Sequence, residues 1–144
     1  MPKETTMMAK IKVLIISRDP ALVSLLQTEM NDGKYEIVNT ERSGLQLREV
    51  LGAEQPEFII LDIVMPTLDG IGTCLQLRQW TQTPIMMLST WDTGDGTVRG
   101  LNLGCDSYLT EPFGMDELKQ RIEDTLKRMA SAPEPQFNIR VSKN

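Results

Sequence analysis

Histidine is absent from this chain of 144 residues, and cysteine occurs at only two positions. The lack of histidine excludes catalytic triads that use this residue, histidine zinc sites and a phosphohistidine. Cys74 and Cys105 are too few for a disulfide scaffold, and both stand among apolar residues. We therefore predict two buried thiols in the reducing environment of a cytoplasmic protein.

Long apolar runs and an excess of positive charge are also missing. No run approaches the roughly 20 apolar residues that a membrane helix needs, and residues 1–10 are too polar for a secretory signal. Lys and Arg number 15 and Asp and Glu number 20, which gives a formal net charge of −5. Because nucleic acids normally bind to a basic face, we expect this chain by itself to bind neither DNA nor a membrane.

A regular alternation of apolar strands and helical patterns is what the sequence does contain. Apolar runs predict five strands, at residues 11–16, 35–38, 58–61, 84–88 and 108–109. Apolar spacings of three and four predict five helices, at residues 21–30, 45–51, 71–80, 97–103 and 115–129. Strands without polar alternation are typical of a sheet that is covered on both faces. The pattern predicts a doubly wound α/β fold with five parallel strands.

One domain is predicted, at residues 11–130, because this length suffices for a single hydrophobic core. We predict that residues 1–10 are a disordered lead-in. Residues 131–144 begin with Ser131-Ala132-Pro133-Glu134-Pro135, a composition typical of a stiff linker. We expect this linker to lead toward an output domain that the chain does not include.

The carboxyl ends of parallel strands meet at one edge of a sheet, where functional sites of this fold class lie. Polar residues follow four of the predicted strands: Ser17, Arg18 and Asp19; Asp62; Ser89 and Thr90; and Thr110 and Glu111. Asp19 precedes Pro20, which is typical of a helix N-cap. Asp62 taken alone fits a turn or a cap, but the Met65-Pro66 and Asp69-Gly70 pairs after it favour a shaped functional loop.

Other phosphate chemistries fit the residues around Asp62 less well. A haloacid-dehalogenase-like phosphatase would need a second aspartate where Val64 stands, and the chain has no GxxxxGK phosphate loop. We therefore predict no enzyme. A metal-independent phosphatase or phosphotransferase that uses Asp62 remains the alternative from another functional class.

Four segments then follow one another in a characteristic order: Val13-Leu14-Ile15-Ile16, Leu61-Asp62-Ile63-Val64-Met65-Pro66, Pro84-Ile85-Met86-Met87-Leu88-Ser89 and Asp106-Ser107-Tyr108-Leu109-Thr110-Glu111-Pro112-Phe113. Together they resemble a response-regulator receiver domain of two-component signalling, over about residues 10–129. The resemblance implies a flavodoxin-like fold, with Asp62 in the place of the phosphate-accepting aspartate. It also implies that Ser89, which meets the phosphoryl group, and Tyr108 are the switch residues.

This resemblance includes three departures around Asp62. In the family, two acids after the first strand hold Mg²⁺ and a lysine follows the last strand, whereas Ser17, Arg18 and Glu111 stand there in this chain. A phosphoryl group on Asp62 would lie beside Glu111, and a like-charge pair at about 4 Å costs about 4 kcal/mol at a dielectric of 20. We expect no cofactor, with Mg²⁺ binding weak or absent, and little phosphorylation. A receiver still phosphorylated at Asp62 is the alternative.

Arg18 is the candidate counter-ion for this altered pocket. We expect its guanidinium to replace the metal by forking onto Asp62, Glu111 or both. The alternative is that Arg18 points into solvent and the pocket is merely degenerate.

Five charged residues resemble the dimer face of OmpR-type regulators: Arg99, Asp106, Glu117, Arg121 and Arg128. In that family the face consists of the fourth helix, fifth strand and fifth helix, and opposite charges pair across a two-fold axis. Asp106 and Arg128 keep one such pair, while Thr97 and Ser107 stand where two partners are expected. The alternative is a solvated face whose charges matter little.

The resemblance implies an atypical receiver that regulates transcription through protein contacts. It implies a homodimer, a sensor kinase as a further partner, and DNA contact only through a winged-helix output domain that is absent here.

Overall fold

The computed structural model describes residues 10–30, 33–62, 68–89, 105–110 and 113–131, and for residues 68–71, 89 and 131 it describes the backbone alone. Five strands lie within these ranges: β1 (Ile11–Ile16), β2 (Tyr35–Thr40), β3 (Phe58–Asp62), β4 (Ile85–Ser89) and β5 (Ser107–Thr110). The described helices are α1 (Pro20–Glu29), α2 (Gly44–Glu54), α3 (Leu68–Trp80) and α4 (Met115–Ser131).

All five strands are parallel and form one sheet in the order β2-β1-β3-β4-β5. The strand order reverses direction at β1 and β3, as in a doubly wound sheet, and the predicted fold class is confirmed. The predicted helix 97–103, the lead-in at 1–9 and residues 132–144 lie outside the described ranges. The helix that we expected to end at 129 runs to Ser131, the first residue of the predicted linker.

Side chains of the central strands alternate between two apolar clusters. Val13 and Ile15 of β1 pack on one face with residues of α1 and α4, and Leu14 and Ile16 pack on the other face with residues of α2 and α3. Because successive side chains of a strand point to opposite faces, an unbroken apolar strand serves both clusters. This arrangement leaves the carboxyl ends of the strands as the natural place for polar groups.

Local capping fixes where α1 begins, directly after β1. Asp19 is the N-cap with an extended backbone (φ −93°, ψ 103°), and Pro20 is the first helical residue. The Asp19 side chain accepts a hydrogen bond from the Ala21 N–H, with an N···Oδ1 distance of 3.0 Å. The predicted cap is confirmed, and it holds the short turn between β1 and α1 in one conformation.

None of the helices in these ranges is both long and apolar enough to cross a membrane.

Candidate functional site

Strand register brings Ser17 and Asp62 to the same edge of the sheet. Ile16, the last residue of β1, lies opposite Leu61 in β3, so Ser17 and Asp62 are the next residues of two neighbouring strands. Asp62 is half-buried and ends β3, and Ser17 is only 5% exposed. The strand-end rule, by which polar residues after parallel strands meet at one edge of the sheet, therefore correctly predicted that these two residues are neighbours.

The shortest described contact of Asp62 is with Ser17. The Ser17 hydroxyl donates to Asp62 Oδ2 at an O···O distance of 2.6 Å, within the range of charge-assisted hydrogen bonds to a carboxylate. Asp62 makes a further interaction besides this one. A neutral hydroxyl donor, and no second carboxylate, therefore contacts Asp62 from the end of β1.

Asp19 joins the site through its backbone rather than its side chain. Its N–H donates to Ser17 Oγ at 3.0 Å, while its carboxylate faces the first turn of α1. We predicted Asp19 as a pocket residue whose capping role points its side chain elsewhere. The capping bond turns the carboxylate away from Asp62, so Asp19 belongs to the pocket only through its backbone N–H.

Arg18 does not fork onto Asp62. Its side chain is exposed, and it makes no ion pair with any acid in the described ranges. Residue 18 follows an inward-facing Ser17, and alternation along the extended chain points its side chain the other way. The Asp62 half of the expected charge exchange is therefore wrong, and the solvent-facing alternative describes Arg18. The Glu111 half lies outside the described residues.

Asn39 and Thr40, at the end of β2, are site residues that the sequence reasoning missed. The Asn39 side-chain amide donates to the carbonyl oxygens of Ile15, Ser17 and Thr40, with N···O distances of 3.0, 3.3 and 3.3 Å. The Thr40 carbonyl accepts the Ser17 N–H at 3.1 Å. We applied the strand-end rule to four strands but not to the second, where it would have found both residues.

The remaining predicted pocket groups are described only in part. Ser89 ends β4, where the sheet register places it opposite Thr110 of β5. Thr90 and Glu111 lie outside the described residues. Tyr108 is half-buried and packs against the cluster shared with α2 and α3. Its hydroxyl oxygen is buried and has no hydrogen-bond partner among the residues that the structure describes.

The charges of the predicted dimer face contact their own chain in this structure. The Asp106 carboxylate accepts the Ile85 N–H at 2.9 Å and lies 3.9 Å from Arg78 Nη1. Arg128 donates to the Asp106 carbonyl at 3.3 Å. Arg121 donates to the Tyr108 carbonyl and lies 3.9 Å from Glu117. Arg99 is outside the described residues, so the arrangement between two chains stays a prediction.

Both cysteines are buried thiols, as predicted, and they form no disulfide with each other. Burial raises the pKa of the Cys105 thiol to about 11, and the thiol donates a hydrogen bond to the Ser107 carbonyl. Burial also raises the pKa of the Cys74 thiol. Because the thiolate is the reactive form, neither residue is suited to act as a nucleophile near neutral pH.

Comparison with known proteins identifies the family to which this chain is similar. The model of the response regulator receiver domain family matches residues 13–123. The alkaline phosphatase synthesis transcriptional regulatory protein PhoP of Bacillus subtilis is 36% identical over 118 residues, which are 81% of this chain and 49% of that protein. The probable transcriptional regulator ycf27 of Porphyridium aerugineum is 33% identical over 125 residues, 87% of this chain and 52% of that protein.

A solved structure agrees with these sequence matches. The receiver domain of the Francisella response regulator 1452 has a TM-score of 0.72 and 30% sequence identity, and the match covers 83% of this chain and 99% of that one. The chain spans about half the length of the curated relatives that it matches. The predicted family is confirmed: this chain belongs to the response regulator receiver domain family.

Proposed function

We propose that this receiver domain controls a transcriptional output through protein contacts, without the magnesium-dependent phosphorylation that its family resemblance implies. The observation that carries the proposal is the Ser17 hydroxyl, which lies 2.6 Å from Asp62 where the family has an acid. The exposed Arg18 beside it replaces the second acid.

The donor set near Asp62 does not fit Mg²⁺. This ion binds several oxygen ligands in octahedral geometry and favours carboxylates. Ser17 supplies an uncharged oxygen whose proton already points at Asp62, and the Asp19 carboxylate caps α1. Two carboxylates have thus been exchanged for a hydroxyl and a cation, and Glu111 replaces the lysine. The exchanges at residues 17 and 18 remove ligands of the metal, and the exchange at residue 111 removes a cation. Phosphoryl transfer relies on metal ions and cationic groups to neutralise developing charge.

The proposed output is transcriptional because the curated relatives are named as transcriptional regulators, and the match to this chain covers only about half of each of them. By resemblance to OmpR-type regulators, the remaining half would be a DNA-binding winged helix. The net charge of −5 on this chain supports a division of labour in which the receiver contacts proteins and the output domain contacts DNA.

A receiver that is still phosphorylated at Asp62 is the second candidate. One observation favours it, since Asp62 is only half-buried and stands at the end of β3, where a phosphoryl donor can approach it.

Acetyl phosphate with Mg²⁺, followed by intact-mass measurement, tests the proposal. We expect no mass increase for the wild-type chain, whereas phosphorylation would add about 80 Da. A triple variant that restores the family residues, Ser17→Asp, Arg18→Asp and Glu111→Lys, is expected to gain this mass and to bind Mg²⁺. Adding Asp62→Asn to the triple variant is the control, and it should abolish the gain.

Two other results would contradict the proposal. A stable mass increase of the wild-type chain would favour the phosphorylated receiver. Consumption of acetyl phosphate without a lasting mass increase would favour the phosphatase alternative.

The proposed partners are a second copy of this chain and a sensor kinase. The self-contact would use β5, α4 and the predicted helix 97–103. Support for it comes from the charges that line α4 and β5, namely Asp106, Glu117, Arg121 and Arg128.

A further inference from the structure

Every hydrogen-bonding group of Ser17 has a partner. Its N–H donates to the Thr40 carbonyl at 3.1 Å, and its carbonyl accepts from the Asn39 amide at 3.3 Å. Its hydroxyl oxygen accepts from the Asp19 N–H at 3.0 Å and donates to Asp62 Oδ2 at 2.6 Å. Backbone and side chain of Ser17 are therefore fixed from three sides: by the end of β2, the turn into α1 and the end of β3.

These partners leave one direction for the Ser17 hydroxyl proton. A hydroxyl has one proton and two lone pairs, and an ionised carboxylate only accepts hydrogen bonds. The Asp19 N–H uses a lone pair of Ser17 Oγ, so the proton is directed to Asp62. Water competes little for this proton because Ser17 is only 5% exposed. The hydroxyl is thus an oriented donor before anything binds at the site.

We propose that Ser17 is the positioning residue of Asp62, and that its oriented hydroxyl holds the carboxylate without a metal and connects it to the start of α1. The connection is a continuous run of hydrogen bonds, from Asp62 to Ser17 Oγ, from Ser17 Oγ to the Asp19 N–H, and from Asp19 Oδ1 to the Ala21 N–H. A change at Asp62 therefore alters the hydrogen bonds at the first turn of α1. The inference rests on the proposed function for the metal-free use of Asp62.

A double-mutant cycle on the whole chain, in metal-free buffer, tests this inference. The variants are Ser17→Ala, Asp62→Ala and their combination, and the measured quantity is the unfolding equilibrium constant from urea titration. The cycle isolates the Ser17–Asp62 bond, because other contacts of Asp62 are lost equally in both backgrounds. We expect a coupling of about tenfold, which corresponds to roughly 1.4 kcal/mol, as is usual for hydrogen bonds to charged groups.

Ser107→Ala is the matched control. Ser107 is 9% exposed, similar to Ser17, and its side chain makes no hydrogen bond to Asp62 within the described residues. Its substitution should combine additively with Asp62→Ala. A coupling below about twofold for Ser17, or an equal coupling for Ser107, would overturn the inference.

An NMR measurement adds a readout that general destabilisation would not move. Asp62→Ala should shift the amide signals of Asp19 and Ala21 in the wild-type background and leave them nearly unchanged in the Ser17→Ala background. Equal shifts in both backgrounds would contradict the run of hydrogen bonds. Neither readout requires phosphorylation, so a coupled pair with a phosphorylated wild-type chain would defeat only the proposed function. An uncoupled pair with an unmodified wild-type chain would defeat only the role of Ser17.

Discussion

A serine hydroxyl and an aspartate carboxylate differ by one unit of charge, and at the end of β1 this difference sets what Asp62 can bind. Ser17 offers Asp62 a proton, whereas an acid in its place would repel Asp62 unless a cation lay between them. The contact at 2.6 Å is therefore compatible with a metal-free site. Arg18 contributes its charge from the solvent side, where screening weakens its effect on the pocket.

Tyr108 provides a prediction at the same scale. Its ring packs against the cluster shared with α2 and α3, but its buried hydroxyl oxygen lacks a hydrogen-bond partner within the described part of the chain. Because an unsatisfied buried polar group costs free energy, Tyr108→Phe should leave the free energy of unfolding unchanged or raise it by up to about 1 kcal/mol. Urea titration measures this change.

Ser17→Ala is the contrast for Tyr108→Phe, since it removes a hydroxyl that makes two hydrogen bonds. It should lower the free energy of unfolding by about 1 to 3 kcal/mol. A loss of more than about 1 kcal/mol in Tyr108→Phe would mean that the Tyr108 hydroxyl is bonded in solution.

Helix α2 ends at a residue whose conformation is unusual for its type. Gln55, the C-cap, has φ +48° and ψ 58°, and its N–H donates to the Leu51 carbonyl at 2.9 Å. Left-handed backbone costs a residue with a side chain roughly 1 to 2 kcal/mol, while glycine adopts it freely. Glycine also makes the unfolded chain more flexible, at a cost of about 0.4 to 1 kcal/mol.

The balance of these two costs predicts that Gln55→Gly raises the free energy of unfolding by about 0.5 to 1 kcal/mol. Thermal or urea unfolding checks the change, and Gly44→Ala at the other end of the helix is the converse control. Gly44 has φ +59°, so a side chain there should be destabilising. A less stable Gln55→Gly variant would show that the Gln55 side chain contributes contacts that outweigh its strained backbone.

The strand–helix alternation could be predicted from the sequence because apolar periodicity reports burial directly. The exact ends of elements depend on partners that periodicity does not show. β2 extends past 38 because Asn39 and Thr40 pair with Ile15 and Ile16 through the backbone, although both side chains are polar. α3 begins at Leu68, where the Asp69-Gly70 pair favoured a loop. An acidic residue near the N-terminus of a helix is favoured by the helix dipole, so the same pair is also compatible with the start of a helix.

The sequence predicted which residues lie at the site but not which side chains contact one another. Because Ser17 and Asp62 each follow the apolar part of a strand, their positions in the sequence were enough to predict that they share an edge of the sheet. The choice between Ser17 and Arg18 as the partner of Asp62 depended on side-chain direction and on competing hydrogen bonds. The Asp19 N–H, which donates to Ser17 Oγ, is a backbone group that the sequence pattern does not reveal, whereas Asn39 follows a predicted strand and could have been found.

At the scale of the whole molecule, helices cover both faces of the sheet. The β5 edge and the outer side of α4 are therefore the surfaces that we propose for the contact with a second chain. Intrachain bonds already engage much of the charge there, because the Asp106 carboxylate contacts Ile85 and Arg78. Arg128 is exposed and contacts only the Asp106 carbonyl and the Thr125 hydroxyl within the described residues. Arg128 is therefore the charge best placed to reach another chain.

Reversing this charge with Arg128→Glu should weaken self-association, because it would place like charges where the family resemblance pairs opposite ones. We expect the dissociation constant of the dimer to rise about fivefold, or roughly 1 kcal/mol, as for a partly exposed ion pair that becomes repulsive. Sedimentation velocity over a concentration series measures the effect, which should shrink as salt is raised. Arg48→Glu is the matched control, since Arg48 is an exposed arginine of α2 on the opposite face of the sheet, and it should leave self-association unchanged. Equal dissociation constants for the wild type and Arg128→Glu would exclude Arg128 from the contact between chains, and a monomer at all concentrations would exclude the proposed dimer itself.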